Sequence, residues 1–150
     1  MTASTWYPIV SVRLAPGALD AIAQIRQVDV VMTSIGTTVQ WALWSNVAVT
    51  TNLTGGTFAN HGSSTNVQIN QGATAFTPTS TCYQVASGLL TSTNQTTAAV
   101  QIELNKYFSQ IGRNSFTQVS DIMTLAIYST TAIGGGGTTL QALLSWNELL

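Results

Sequence analysis

The sequence predicts an all-β protein, an antiparallel two-sheet sandwich of jelly-roll type with about eight strands and at most one short helix. Apolar and polar residues alternate with a period of two through most hydrophobic segments, as in strands with one buried face. Turn residues interrupt these segments repeatedly, and no repeat of about 20–50 residues is present. An immunoglobulin-like sandwich is the alternative, although its paired cysteines are absent because the chain has one cysteine.

Three strands are predicted in the N-terminal part, over residues 9–14, Ile22–Thr33 and residues 38–49. In each, every second residue is apolar, so one face is expected to be buried. The residues predicted to face the core are Val10, Val12 and Leu14, then Val28, Val30 and Met32, then Val39, Trp41 and Leu43. Trp44 has the opposite parity to Trp41, so we expect it to be exposed or covered by a partner protein.

Residues 50–78 differ in composition, with four glycines and many small polar residues. We predict a surface loop here, with short strands near residues 57–58 and 66–69. Further strands are predicted over residues 83–90, with a possible bulge at Gly88, and over residues 98–104, with Val100, Ile102 and Leu104 facing inward.

The C-terminal part contains two more predicted strands and two other features. Leu104, Tyr107, Phe108 and Ile111 have helical spacing, so residues 104–111 form either one short helix or an irregular crossing. Residues 122–128 predict a strand buried on both faces, and residues 134–137 a glycine-rich tip. The last strand covers residues 139–146, and the residues that share its inner face are Leu140, Ala142, Leu144 and Trp146.

Charge is scarce, at 6% of the residues against 45% hydrophobic ones, with a net charge of −1. Ordinary domains carry about 25% charged residues. The four cations are scattered, which argues against a nucleic-acid partner. No segment predicts a signal peptide or a membrane span, so we expect synthesis in a host cytoplasm and no membrane partner. Residues 1–6 are predicted to be a tail, and residues 7–150 a single domain.

Catalytic chemistry is poorly supplied, so we predict no enzyme, no cofactor and no metal. One histidine, His61, and one cysteine, Cys82, cannot complete a four-ligand zinc site. The five carboxylates do not form a pair with the spacing pattern of a glycosidase site. Exposed aromatic residues remain as candidates for contacts with a partner protein. These interface candidates are Trp6, Tyr7, Trp44, Phe58, His61 and Phe76.

Two parts of the chain resemble a known protein family. Residues 7–14 (YPIVSVRL) and 39–46 (VQWALWSN) resemble an x-P-x-x-S-I-R-L … W-x-L-x-x-N-P pattern. Residues 119–127 (VSDIMTLAI) and 140–149 (LQALLSWNEL) resemble V-S-D-x-L-x-L-A-V … A-S-L-x-W-x-E-L. Both patterns are similar to those of tailed-bacteriophage virion structural proteins, whose β-sandwich modules occur in capsid cement (decoration) proteins and in fibres.

The resemblance implies a structural role on the capsid surface of a virion. A cement protein of this kind binds the outer surface of the major capsid protein lattice, commonly as a homotrimer, and stabilises the head. The alternative that the resemblance implies is a tail or head fibre module that binds host-surface carbohydrate. Both are consistent with a charge-poor exterior, which costs little desolvation energy to cover.

Overall fold

A computed structural model describes residues 4–33, 37–92, 97–103, 109–130 and 139–149. Within these ranges the chain folds into two antiparallel sheets and one short helix, α1, at Val49–Asn52. The strands are β1 Thr5–Leu14, β2 Ile22–Thr33, β3 Thr37–Ser45, β4 Leu53–Thr54, β5 Ala59–Asn60, β6 Val67–Asn70, β7 Ala75–Phe76, β8 Tyr83–Ser92, β9 Thr97–Glu103, β10 Gln110–Ile111, β11 Ile122–Ser129 and β12 Thr139–Leu149.

The predicted all-β sandwich is confirmed. The first sheet runs in the order β4-β7-β1-β11-β3-β8, with β6 also paired to β1 and β5 paired to β6. The second sheet has β2 at its centre, β12 on one side and β9 and β10 on the other. No helix in these ranges is long and apolar enough to cross a membrane.

The path of the long strands follows a jelly roll. In the order β1, β2, β3, β8, β9, β11 and β12, successive strands change sheets except at the β3–β8 hairpin. An eight-stranded jelly roll without its first strand has the same order of sheet changes along the chain. It also has the same neighbouring strands in each sheet. That first strand would lie beside β12, and no described strand occupies this position.

The central core lies between the two sheets and consists of the residues that the alternation placed inward. Val28, Val30 and Met32 of β2 are fully buried against Trp41 and Leu43 of β3. Burial of each such side chain contributes about 1.5–3 kcal/mol to folding. The predicted inner face of β12 is confirmed as well, since its four residues pack toward this core, although a bulge lies between the last two.

A second hydrophobic cluster covers the outer face of the first sheet, and sequence alternation alone did not predict it. Ile122 and Ala126 of β11 are buried there, so β11 is buried on both faces as predicted. Ser11, which alternation placed outward, is completely buried on this face, and its Oγ is 2.8 Å from Oγ1 of Thr124. The remaining members of the cluster are Trp44, Val47, Leu53, Phe76 and Ala42, flanked by Trp6, Phe58, Ala73 and Cys82.

Several boundaries differ from the predictions. The first strand begins at Thr5, so Trp6 belongs to β1 and not to a tail. Residues 50–78 contain part of α1 and all of β4 to β7, and are therefore more ordered than a loop. Ile111 lies in β10, because it pairs with Ala23, which excludes a helix at that residue. Residues 104–108, the tip at 134–137 and the side chains of β9 lie outside the description.

Candidate interaction surface

Four of the six interface candidates, Trp6, Trp44, Phe58 and Phe76, lie in or against the cluster on the outer face of the first sheet. Ring centroids of Trp6 and Trp44 are 5.4 Å apart in an edge-on arrangement, and those of Trp44 and Phe76 are 5.7 Å apart. Trp44 is 9% exposed and Phe76 2% exposed. Residues 50–78 return across the sheet and cover these side chains, and contact with a partner at Trp44 and Phe76 stays a prediction.

Trp6 and Tyr7 are half-buried at the start of β1. Trp6 pairs with Phe76 of β7 on one side and with Tyr128 of β11 on the other, and its ring lies 5.3 Å from that of Tyr128. Tyr7, on the opposite face of the strand, packs against the central core. Both residues therefore stabilise the sandwich and present only part of each ring to solvent.

Phe58 and His61 lie in the segment that precedes β6. The Arg13 guanidinium carbon is 4.3 Å from the centroid of the half-buried Phe58 ring, a cation–π contact. His61 is exposed, and its ring is 5.0 Å from that of Trp146 on β12. These contacts attach residues 50–78 to both sheets, so Phe58 and His61 have a packing role that sequence reasoning did not predict.

A cavity of about 770 Å³ opens at one end of the sandwich, between the end of β1, the turn after β3 and residues 113–122. Two cationic side chains, Arg13 and Arg113, line it together with Asp121. Burial lowers the pKa of the Arg13 guanidinium, and the nearby charge of Arg113 lowers it further. The guanidinium groups give this end of the molecule positive charge, which the Asp121 carboxylate in the same lining partly offsets.

Arg113 joins two loops at the rim of the cavity, the turn after β1 and its own hairpin. Its Nε donates to the carbonyl oxygen of Ala18 at 3.0 Å, its Nη1 to that of Gln118 at 2.7 Å, and its Nη2 to that of Ala15. A planar guanidinium can satisfy three such acceptors at once, which an ammonium on a lysine cannot match in geometry. The arginine therefore fixes the 113–120 hairpin to the turn after β1.

The 113–120 hairpin is also ordered internally. Arg113 and Ser120 form a β-bridge, and Asn114 donates its amide to the carbonyl oxygen of Val119 at 3.0 Å. The Asn114 side-chain oxygen accepts the amides of Phe116 and Thr117 at 2.9 and 3.0 Å, an Asx-type turn. Gln118 has a φ of +56°, and its amide donates to the Asn114 carbonyl oxygen.

The tip of this hairpin presents apolar side chains to solvent. Phe116 is 94% exposed and Val119 64% exposed, and Val49 across the cavity is exposed as well. A large ring held outside by a hydrogen-bonded turn loses little conformational freedom when a partner covers it. Phe116 is therefore a stronger interface candidate than any of the six from the sequence, and the motif Asn-x-Phe-Thr in a polar turn is the signal that could have indicated it.

No group of three or more potential metal ligands occurs in the described ranges. Two acidic residues there make structural contacts: Glu148 accepts the Asn66 amide at 2.8 Å, and Asp29 accepts the side-chain amide of Gln27 at 2.7 Å. Cys82 is half-buried, with its sulfur 3.7 Å from Oγ1 of Thr79 and from the Asn46 carbonyl oxygen. These arrangements resemble no catalytic constellation, and they leave the hairpin and cavity as the candidate surface.

Comparison with known proteins adds no family assignment, since no protein-family model, curated protein or solved structure matches this chain. The functional argument therefore depends on the fold and on the surface described above.

Proposed function

We propose that this protein is a bacteriophage capsid cement protein, which binds the outer surface of the major capsid protein lattice and stabilises the head as a homotrimer. The single observation that carries the proposal is the stiff 113–120 hairpin, which holds Phe116 almost fully exposed beside the arginine-lined cavity. An apolar anchor beside a cationic pocket is a typical centre for a protein–protein contact.

The composition supports a role in assembly. With four cations and five anions in the full sequence, covering this exterior removes few charges from water. A standard interface buries about 1,600 Å² in total. Repeated at every equivalent position of a shell, modest contacts of this size stiffen the lattice through multivalency.

The test of this function is the amount and place of the protein in purified virions. We expect hundreds of copies per particle by quantitative mass spectrometry, on the outer capsid surface in a cryo-EM reconstruction, and a trimeric mass by sedimentation. A handful of copies at a fibre would instead support the carbohydrate-binding alternative. Absence of the protein from particles would refute both.

A variant tests the surface itself. Phe116→Ala should leave the free energy of unfolding within about 0.5 kcal/mol of the wild type, because the ring contacts almost nothing in the free protein. Its binding to capsids that lack the protein should weaken by about tenfold or more. The matched control is Leu89→Ala, an exposed residue of β8, which should bind normally.

A further inference from the structure

We propose that the open edge of β12 is a binding site for an extended segment of a different protein, which pairs antiparallel with β12 as an added outer strand. The segment would take the position of the first strand of a jelly roll, which no strand in the described ranges fills. This inference does not depend on the proposed function, because it follows from strand pairing alone.

One edge of β12 is paired with β2 along its whole length, and the other edge is open. Residues of β12 pair with β2 from Thr139↔Thr33 to Leu149↔Ile22, over the whole length of both strands. No strand in the described ranges pairs with the second edge. Along an edge strand, every second residue directs its N–H and C=O away from the sheet, where an incoming strand can accept and donate.

From Thr139 to Ser145, the open edge lacks the features that keep exposed edge strands from pairing. Natural edges are short, or carry lysine, proline or a bulge. β12 is 11 residues long, and it contains no lysine, arginine or proline. Its one charged residue, Glu148, lies beyond the bulge between Ser145 and Trp146 and already accepts the Asn66 amide. Residues 139–145 therefore form a flat, uncharged edge.

The first sheet extends over this edge, because it is six strands wide (β8-β3-β11-β1-β6-β5) where the second is three (β9-β2-β12). At the opposite margin β8 contacts β9, so the extra width lies on the β12 side. There β6 presents Val67 and the partly buried Ile69 to the core. On β12, Leu140 and Ala142 face the same core but are only half-buried. A strand added to β12 would cover these apolar groups.

The greater width of the first sheet also limits which kind of partner can pair with the open edge of β12. A second copy that paired through its own β12 would bring its own β6 toward the space that this β6 already occupies. A single extended segment meets no such obstacle. Its recognition would come from main-chain hydrogen bonds, with alternate apolar side chains directed toward Ile69 and Ala142.

The probe for this site is a synthetic peptide with the sequence of Ile22–Thr33, which already pairs antiparallel with β12 on its other side. Amide hydrogen exchange of the full chain is measured by NMR with and without the peptide. We expect alternate amides over residues 139–145 to exchange rapidly in the free protein and to slow by about tenfold or more as the peptide saturates.

Ala142→Lys is the variant that should block the site. The lysine side chain can reach solvent only while the edge is open, so an added strand would bury its charge. It should abolish the protection. The matched control is Ala86→Lys, also a half-buried alanine on a long edge strand packed against the same core, which should retain it. If Ala142→Lys does not fold, Leu143→Lys, at an exposed position of the same edge, should weaken the protection.

Three results would overturn the inference. The first is slow exchange of every β12 amide in the free monomer. The second is no saturable protection of β12 by the peptide, or protection that a folded Ala142→Lys variant retains. The third is a dimer in sedimentation experiments in which β12 is protected without peptide, because the occupant would then be a second copy of this chain.

Discussion

At the residue scale, parity along a strand predicts which face a side chain joins but not what covers that face. Trp41 and Trp44 were assigned to opposite faces, and they do lie in different hydrophobic clusters. The sequence contained no local signal that Phe76, more than 30 residues away, packs 5.7 Å from Trp44. Such long-range covering depends on the path of the chain, which periodicity does not encode.

Gly88 is a residue whose small size is required by its neighbour. A Cβ at this position would lie 2.8 Å from Nε1 of Trp41, which is completely buried and has no room to move. Gly88→Ala should therefore reduce the free energy of unfolding by about 1–3 kcal/mol, measured by chemical denaturation. The control is Gly17→Ala, because a Cβ there meets no atom within 4 Å, and its effect should remain within about 0.5 kcal/mol. Equal effects of the two variants would contradict this account of Trp41 packing.

At the element scale, the long strands were predictable and the short ones were not. Ile22–Thr33 was predicted with the bounds that the structure gives, although its buried positions change parity at Arg26 and Gln27, where the pairing with β12 shifts register. β4 and β7 have two residues each, and they exist because β7 meets β1 at Trp6. A two-residue segment carries no measurable period, so only tertiary pairing reveals it.

The 113–120 hairpin depends on one arginine, although the sequence singled out no residue in it. Arg113→Ala removes donors to the carbonyl oxygens of Ala15, Ala18 and Gln118. We expect a loss of about 2 kcal/mol in the free energy of unfolding, and faster amide exchange at Gln118 and Val119. Arg26→Ala is the control, because Arg26 donates to the Gln24 side chain of its own strand, at 3.2 Å, and not to a loop carbonyl. Unchanged exchange in the hairpin would show that its internal turn suffices without the arginine.

At the scale of the whole molecule, topology and surface lead to the same interpretation. The sandwich is a jelly roll with an open strand position beside β12, and its loop end presents Phe116 beside a cationic cavity. Exposed aromatic residues were harder to predict than the fold, because the exposure of a side chain depends on which distant segments pack over it. The six aromatic and histidine candidates all gained neighbours in the folded chain, and the exposed ring was one that sequence reasoning did not select.

If the protein binds a capsid lattice as proposed, the scarcity of charge leads to a prediction about the salt dependence of that binding. Interfaces that depend on charge lose affinity and association rate steeply with salt, because counterions screen exposed charges over about 10 Å at 0.1 M. Here the anchor is Phe116, and Arg113 is already bonded to backbone carbonyls, so few exposed charges remain to be screened. The affinity for capsids that lack the protein, measured by co-sedimentation, should therefore change by less than about threefold between about 0.05 and 0.5 M NaCl. Arg13→Gln should keep this flat profile even if it weakens binding, because a partly buried cation is screened less than an exposed one. A steep fall in affinity with salt would mean that the lattice is recognised through charge, and that the apolar hairpin is not the anchor.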